Sequence, residues 1–180
     1  MINAPRILEL LHQVPRPPED SIPGGISTRE CDECEVRTGL RLPPDVREWL
    51  ALANGPCVGP GGLYGILPAR ESLGFEEVIN LFPSWRRNRW LPVAGDGCGD
   101  HYVIPTQQEY GVGYPVVFVD VHSSEDVPAY IVASDIGHFL NALLEEELGK
   151  RGWPFNEQYV CRTDPDIQRF TGVPLPWRAG

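Results

Sequence analysis

A chain of 180 residues, 42% of them hydrophobic, is of single-domain size and long enough to bury a core without disulfide or metal staples. Its 15 Lys and Arg against 25 Asp and Glu give a formal net charge of −10, which repels nucleic-acid phosphates and favours a basic partner. No apolar run is long enough to span a membrane, no secretory leader is visible, and five cysteines, an odd number, argue for reduced thiols; a cytoplasmic protein is expected.

Residues 1–25 hold a short helical period, Ile7, Leu8, Leu10 and Leu11, and then "VPRPPEDSIPGG", a Pro/Gly-rich linker that cannot continue it. A second helix is predicted in "ISTRECDECEVRTG": Ser27 and Glu30 have capping-box spacing, Ile26 can staple onto Cys31, and Gly39 is the stop. In "LPPDVREWLALANG", Pro43 and Pro44 open a third helix and Asn54-Gly55 closes it, with Val46, Trp49, Leu50 and Ala53 on one face. From residue 56 the chain turns β-rich. The runs "LYGIL", "LPVAG", "HYVI", "YPVVFVDV" and "AYIVA", separated by turn signals, predict a meandering, mainly antiparallel sheet. "SDIGHFLNALLEEELG" restores a helical period, with Ser134 as cap and Gly149 as stop. Residues 150–180 are proline-rich yet carry Trp153, Phe155, Tyr159, Phe170 and Trp177, so an irregular tail packed back on the domain is expected.

The order and spacing of Glu35, Gly39, Leu42-Pro43, Asn54-Gly55, the Asp96-Gly97 turn with Gly99, and the helix entry at Ser134-Asp135 resemble the SUKH superfamily. More narrowly, the chain is similar to the family of the fungal cell-wall synthesis regulator Smi-one/Knr-four and its bacterial relatives. The resemblance covers about residues 26–148 and implies an α+β fold, a twisted, mainly antiparallel sheet backed by helices. It also implies a protein-binding role, since bacterial members are largely regarded as immunity proteins that neutralise toxins, often nucleases. It supplies no catalytic residues. On this reading residues 26–149 form a SUKH-like domain, flanked by the N-terminal helix and linker and by the tail.

Several local patterns invite chemistry. "GDGCGDH" at 95–101 packs glycines, Asp96, Cys98, Asp100 and His101 into one turn. A hairpin explains it, because glycines supply positive φ and Asp96 can bond back to the backbone. A calcium loop needs more spaced oxygen ligands, and a Cys98/His101 nucleophile pair needs convergence that proximity does not show. Cys31 and Cys34 form a C-x-x-C one turn inside a helix, which suits core packing; zinc with Cys57 and Cys98, or redox chemistry, stays open. "SWRRNRW" at 84–90 interleaves arginines with Trp85 and Trp90 and reads as a solvated connection with its tryptophans inward rather than a nucleic-acid grip. Glu145, Glu146 and Glu147 crowd a helix C-terminus against the macrodipole, where Lys150 and Arg151 can offset them. No Walker A, G-x-S-x-G or H-x-x-x-H pattern occurs.

The expectation is therefore a non-enzymatic α+β binding domain with no catalytic residue, cofactor or metal. Its partner is a protein, a basic toxin domain, rather than nucleic acid or membrane. Asp96, Asp100, Glu125 and Asp126 are the candidate partner-binding residues. The alternative is an intracellular regulatory or scaffold module of the fungal type.

Overall fold

The computed structural model describes residues 1–16, 21–66 and 74–179. Helix α1 (Ala4–Gln13) buries Ile7, Leu10 and Leu11. The capping box predicted for α2 (Thr28–Thr38) is formed: the Glu30 N–H donates to Ser27 Oγ at 3.3 Å, and the Ser27 N–H donates to Glu30 Oε2 at 2.7 Å. Gly39 ends that helix with φ 71°.

Helix α3 (Pro44–Leu50) is shorter than expected. Asn54 does not close it but serves a later contact. The Asn54 amide donates to Ile66 O and its Oδ1 accepts from the Ile66 N–H, both at 2.7 Å. A side chain on the chain leaving α3 thus satisfies both backbone groups of a buried residue 12 positions on.

Two short helices, α4 (Phe75–Leu81) and α5 (Pro83–Asn88), occupy ground where the sequence suggested only strands and connections. Their starts have local causes: the Gly74 N–H donates to Glu77 Oε2 at 2.8 Å, and Pro83 suits a first helical position. Trp85 on α5 and Trp90 at the start of the sheet are both buried, as predicted, while Arg86, Arg87 and Arg89 face solvent.

Strands β1 (Trp90–Gly95), β2 (His101–Pro105), β3 (Val116–Val119) and β4 (Tyr130–Ala133) form an antiparallel meander in chain order. Most residues along each strand are buried, so both faces are covered. His101 and Tyr102, which alternate, show by what. The His101 ring meets Trp85 of α5 edge-on at 5.4 Å, whereas Tyr102 packs on Phe139 of α6 (Ile136–Glu147) at 5.0 Å.

Residues 63–66 of the "LYGIL" run form no full strand, and Leu67 lies outside the described residues. This stretch lies along the outer side of β1, where the Tyr64 N–H donates to Val93 O at 2.9 Å and the Gly95 N–H to Gly62 O at 3.1 Å. This contact sits at a bulge between Pro92 and Ala94, which suits a proline that has no N–H to give. Tyr64 is anchored beneath by a 2.7 Å hydrogen bond to His101 Nδ1, and burial pushes that imidazole below its ordinary range.

Asp135, not Ser134, caps α6, its carboxylate accepting from the His138 N–H at 2.8 Å. Ser134 is buried, with its N–H donating to Asp164 Oδ2 at 2.7 Å. The final 30 residues are more ordered than expected. Asn156 caps α7 (Glu157–Thr163), and two 3₁₀ turns follow, Pro165–Arg169 and Pro176–Arg178. The prolines flank these elements without interrupting them. Trp153, Val160, Ile167 and Phe170 join the same core as Ile7 of α1, and the Ile131 N–H donates to Pro174 O along the outer side of β4.

The glutamate run on α6 divides. Glu145 accepts from Arg6 at 3.0 Å, Lys150 at 2.6 Å and the Tyr159 hydroxyl at 3.1 Å, tying α1, α6 and α7 together. Burial opposes its charge, but these donors together hold its carboxyl below the ordinary value of 4.5. Glu146 has its carboxyl pushed up by burial.

Replacing Asn54 with Ala leaves the Ile66 N–H and C=O buried without these partners, and a loss of about 2–4 kcal/mol is expected from two such groups, read as a lower urea midpoint at unchanged slope. Glu145→Gln is expected to lose about 1–3 kcal/mol at neutral pH. Because the folded carboxyl binds its proton less tightly than the unfolded one, this contribution is complete above the unfolded value of 4.5 and fades as pH falls through the lower folded value. The stability gap between the two proteins should therefore close in acid.

Candidate functional site

The β1–β2 hairpin tip is organised by Asp96, whose Oδ1 accepts from the Cys98 N–H at 2.8 Å and the Asp100 N–H at 2.9 Å. Gly97, at φ 83°, turns the chain where a Cβ would stand 2.5 Å from Pro60. The glycine and aspartate pattern is thus a bend with a structural cause. The Cys98 side chain is exposed, whereas His101 points into the core, so the two do not meet as a nucleophile and base.

The same tip is latched to the β3–β4 connection. Asp100 Oδ1 accepts from the Val121 N–H at 3.0 Å and lies 3.2 Å from His122 Nδ1. Asp120, which the sequence did not single out, organises that connection: Oδ1 accepts from the His122 and Ser123 N–H groups, and Oδ2 from the Ser123 hydroxyl at 2.7 Å. The bonds from Ser123 are the main reason the Asp120 carboxyl is held below its ordinary range.

Further along, Glu125 and Asp126 fasten the connection to α5. Glu125 Oε1 accepts from the Ser84 hydroxyl at 3.3 Å, its backbone O from the Trp85 indole at 2.7 Å, and Asp126 Oδ1 from Asn88 at 3.3 Å. The four carboxylates predicted from sequence thus fall in two groups on loops at one end of the sheet, with Asp120 beside the first. Among the described residues, no Lys or Arg forms an ion pair with any of the five.

An aromatic stripe runs beside this rim. Tyr102, Phe118 and Tyr130 stand in register across β2, β3 and β4, with ring centroids 5.3 and 5.1 Å apart, and Phe155, 60% exposed, meets Tyr130 edge-on. Burial raises the Tyr130 phenol, and Asp100, Asp120 and Asp96 push it the same way. Strand alternation signals Phe118 and Tyr130 individually, but only register aligns them.

Asp100, Asp120 and His122 offer three ligand atoms within 4.8 Å of one another, the one cluster of metal-ligand types found among the described residues. Its oxygens already accept backbone and hydroxyl donors, as the loop requires. The cysteines are placed elsewhere. Cys31 and Cys34 are buried on the inner side of α2, and burial pushes their thiols up, that of Cys34 to about 11. A protonated, enclosed thiol is the opposite of what redox exchange needs.

Ser134, His138 and Asp164 also converge, yet not as a nucleophilic relay. Ser134 Oγ at 3.3 Å and Asp135 Oδ2 at 3.1 Å both address His138 Nδ1, and Ser134 is 1% exposed. A relay needs the serine on one ring nitrogen and the acid on the other. The hydrogen bond to Asp135 raises the His138 imidazole, and the group serves as a helix-entry cluster around the start of α6.

These features define a single α+β domain in which an antiparallel sheet, enclosed by helices, carries a loop-built acidic rim beside an aromatic stripe. The chain belongs to the SMI1 / KNR4 family (SUKH-1), whose match spans residues 25–142, from the entry of α2 into α6. Comparison with curated proteins returned no match. Membership is consistent with an immunity or a regulatory module.

A thiol reagent should label Cys57 and Cys98 rapidly in the native protein, and Cys31 and Cys34 only on unfolding. Mass spectrometry of alkylated peptides, with and without denaturant, reads the difference directly. Fast labelling of Cys31 or Cys34 would revive a redox or metal role for the C-x-x-C pair.

Proposed function

We propose that this chain is a non-enzymatic protein-binding domain, a bacterial immunity protein that neutralises a cognate toxin in the cytoplasm by stoichiometric occlusion. The observation carrying this reading is the Asp100 latch, which brings Asp96, Asp100 and Asp120 together on two fixed loops, with Glu125 and Asp126 further along the same connection. Toxins that cleave nucleic acid grip phosphates with clustered cations, and a fixed array of carboxylates that no described Lys or Arg pairs with can occupy such a grip. In these loop bonds Asp96 and Asp100 use Oδ1, so each keeps Oδ2 for a partner. The aromatic stripe supplies what charge alone does not: apolar area at low entropy cost beside the rim. Family membership supports the reading, as does a net charge of −10, which disfavours nucleic acid as the direct partner.

Co-expression with the C-terminal domain of any large secreted protein encoded beside this chain is expected to restore survival and to yield a stable complex of fixed stoichiometry. Absence of both, with stable cellular partners recovered instead, would transfer the reading to a regulatory module. Within a complex, the combined substitution Asp96→Asn, Asp100→Asn, Glu125→Gln and Asp126→Asn keeps the side-chain acceptors that hold the loops. Association should then slow by about tenfold or more at low salt and depend less steeply on ionic strength. Unchanged association kinetics would remove the rim from the account.

A further inference from the structure

At the other end of β4 from the rim, a cleft of about 460 Å³ opens between the N-terminal segment, α6 and α7. That volume lies within the span of about 300–1,000 Å³ common to small-ligand sites. Asp164 and Asn141 line it, and the buried Oδ1 of each has no hydrogen-bond donor among the described residues.

Neither atom is loosely placed. Asp164 is 5% exposed, and its Oδ2 is held by the Ser134 N–H at 2.7 Å. The Asn141 amide donates to Gly137 O at 2.9 Å, which leaves Oδ1 as the free end of the group. The His138 imidazole, whose Nδ1 stands 3.8 Å from Asp164 Oδ1, is within ion-pair range but beyond hydrogen-bond reach and is engaged more closely by Asp135 at 3.1 Å; Met1 also lines the cleft. Arg6, at the mouth, is committed to Glu9 and Glu145. Burial pushes the Asp164 carboxyl above its ordinary range, although the hydrogen bonds from Ser134 and the nearby His138 act the other way.

A ligand that completes this wall must bring donors, not acceptors, and positive charge suits a carboxylate better than a neutral donor does. A guanidinium presents five N–H donors in a planar fork and can serve two acceptors at once. Trp153 and Val160 give the cleft an apolar side along which a methylene stem can lie. We propose that this cleft binds a guanidinium or alkylammonium group, with Asp164 Oδ1 and Asn141 Oδ1 as its acceptors. The site is separate from the acidic rim and stands whether or not the rim meets a toxin.

The source of the cation can be a free small amine or an arginine side chain of another protein, and calorimetry on the full chain separates them. Agmatine represents the first, and arginine capped as its N-acetyl amide the second. Saturable one-to-one binding of at least one is expected at low salt, with capped citrulline, the uncharged urea analogue, at least tenfold weaker. Binding of agmatine alone assigns the cleft to a small amine; binding of capped arginine assigns it to a side chain.

Asp164→Asn retains an oxygen for the Ser134 N–H, and Asn141→Leu removes the second acceptor at similar size. Each should weaken binding by tenfold or more while thermal unfolding stays cooperative. If Asp164→Asn does not fold, Asn141→Leu decides. Failure of both cations to saturate, equal binding of the citrulline analogue, or wild-type affinity in the folded variants would overturn the proposal.

Discussion

Burying both faces of a four-stranded sheet is the constraint on which the rest of this structure depends. Strands of four to six residues offer little area each, and a sheet so small is not stable without helices packed on it. One face is covered by Trp85 and its neighbour Phe82, the other by Phe139 and Trp153. The chain before the family-matched region and the chain after it contribute to that cover, because α1 packs on α6 and the Trp153 indole donates to Val132 O within the sheet. The loops at the hairpin end stay open to solvent, and polar residues gather there.

Much of this was legible in the sequence wherever the cause is local. The Ser27 and Glu30 box, the glycine stop of α2 and the four strands lie in runs whose residues carry their own signal. What escaped had causes distant along the chain. Asn54 next to a glycine reads as a helix terminator, and nothing nearby reveals that its amide is taken by Ile66. Ser134 and Asp135 are both good caps; Asp135 takes the role by accepting from the His138 N–H, while Ser134 is buried with its N–H held by Asp164, 30 residues later. Helices α4 and α5 are one to two turns long and surrounded by glycine- and proline-rich sequence, too short for periodicity to show.

The candidate surface has the same division. Asp96, Asp100, Glu125 and Asp126 could be picked out as exposed acids, but their grouping is a product of the meander, which brings the β1–β2 turn beside the β3–β4 connection. Asp120 went unnoticed because "FVDV" reads as strand, although the carboxylate sits just past the last paired residue and turns the chain. The cleft that holds Asp164 and Asn141 had no sequence signature, since its wall joins residues from α6 and the tail.

The residues flanking the sheet have one more implication. Beside β1 the outward-facing groups of Val93 and Gly95 are bonded to Tyr64 and Gly62, and beside β4 the Ile131 N–H is bonded to Pro174. An extended peptide therefore cannot lengthen the sheet as a fifth strand without first displacing one of these segments. Recognition by backbone zippering, which is tolerant of sequence, would compete at these positions with bonds the chain already makes to itself. A partner that left these segments in place would read loop tips and ring faces, a mode in which a few substitutions can redirect specificity while the scaffold stays unchanged.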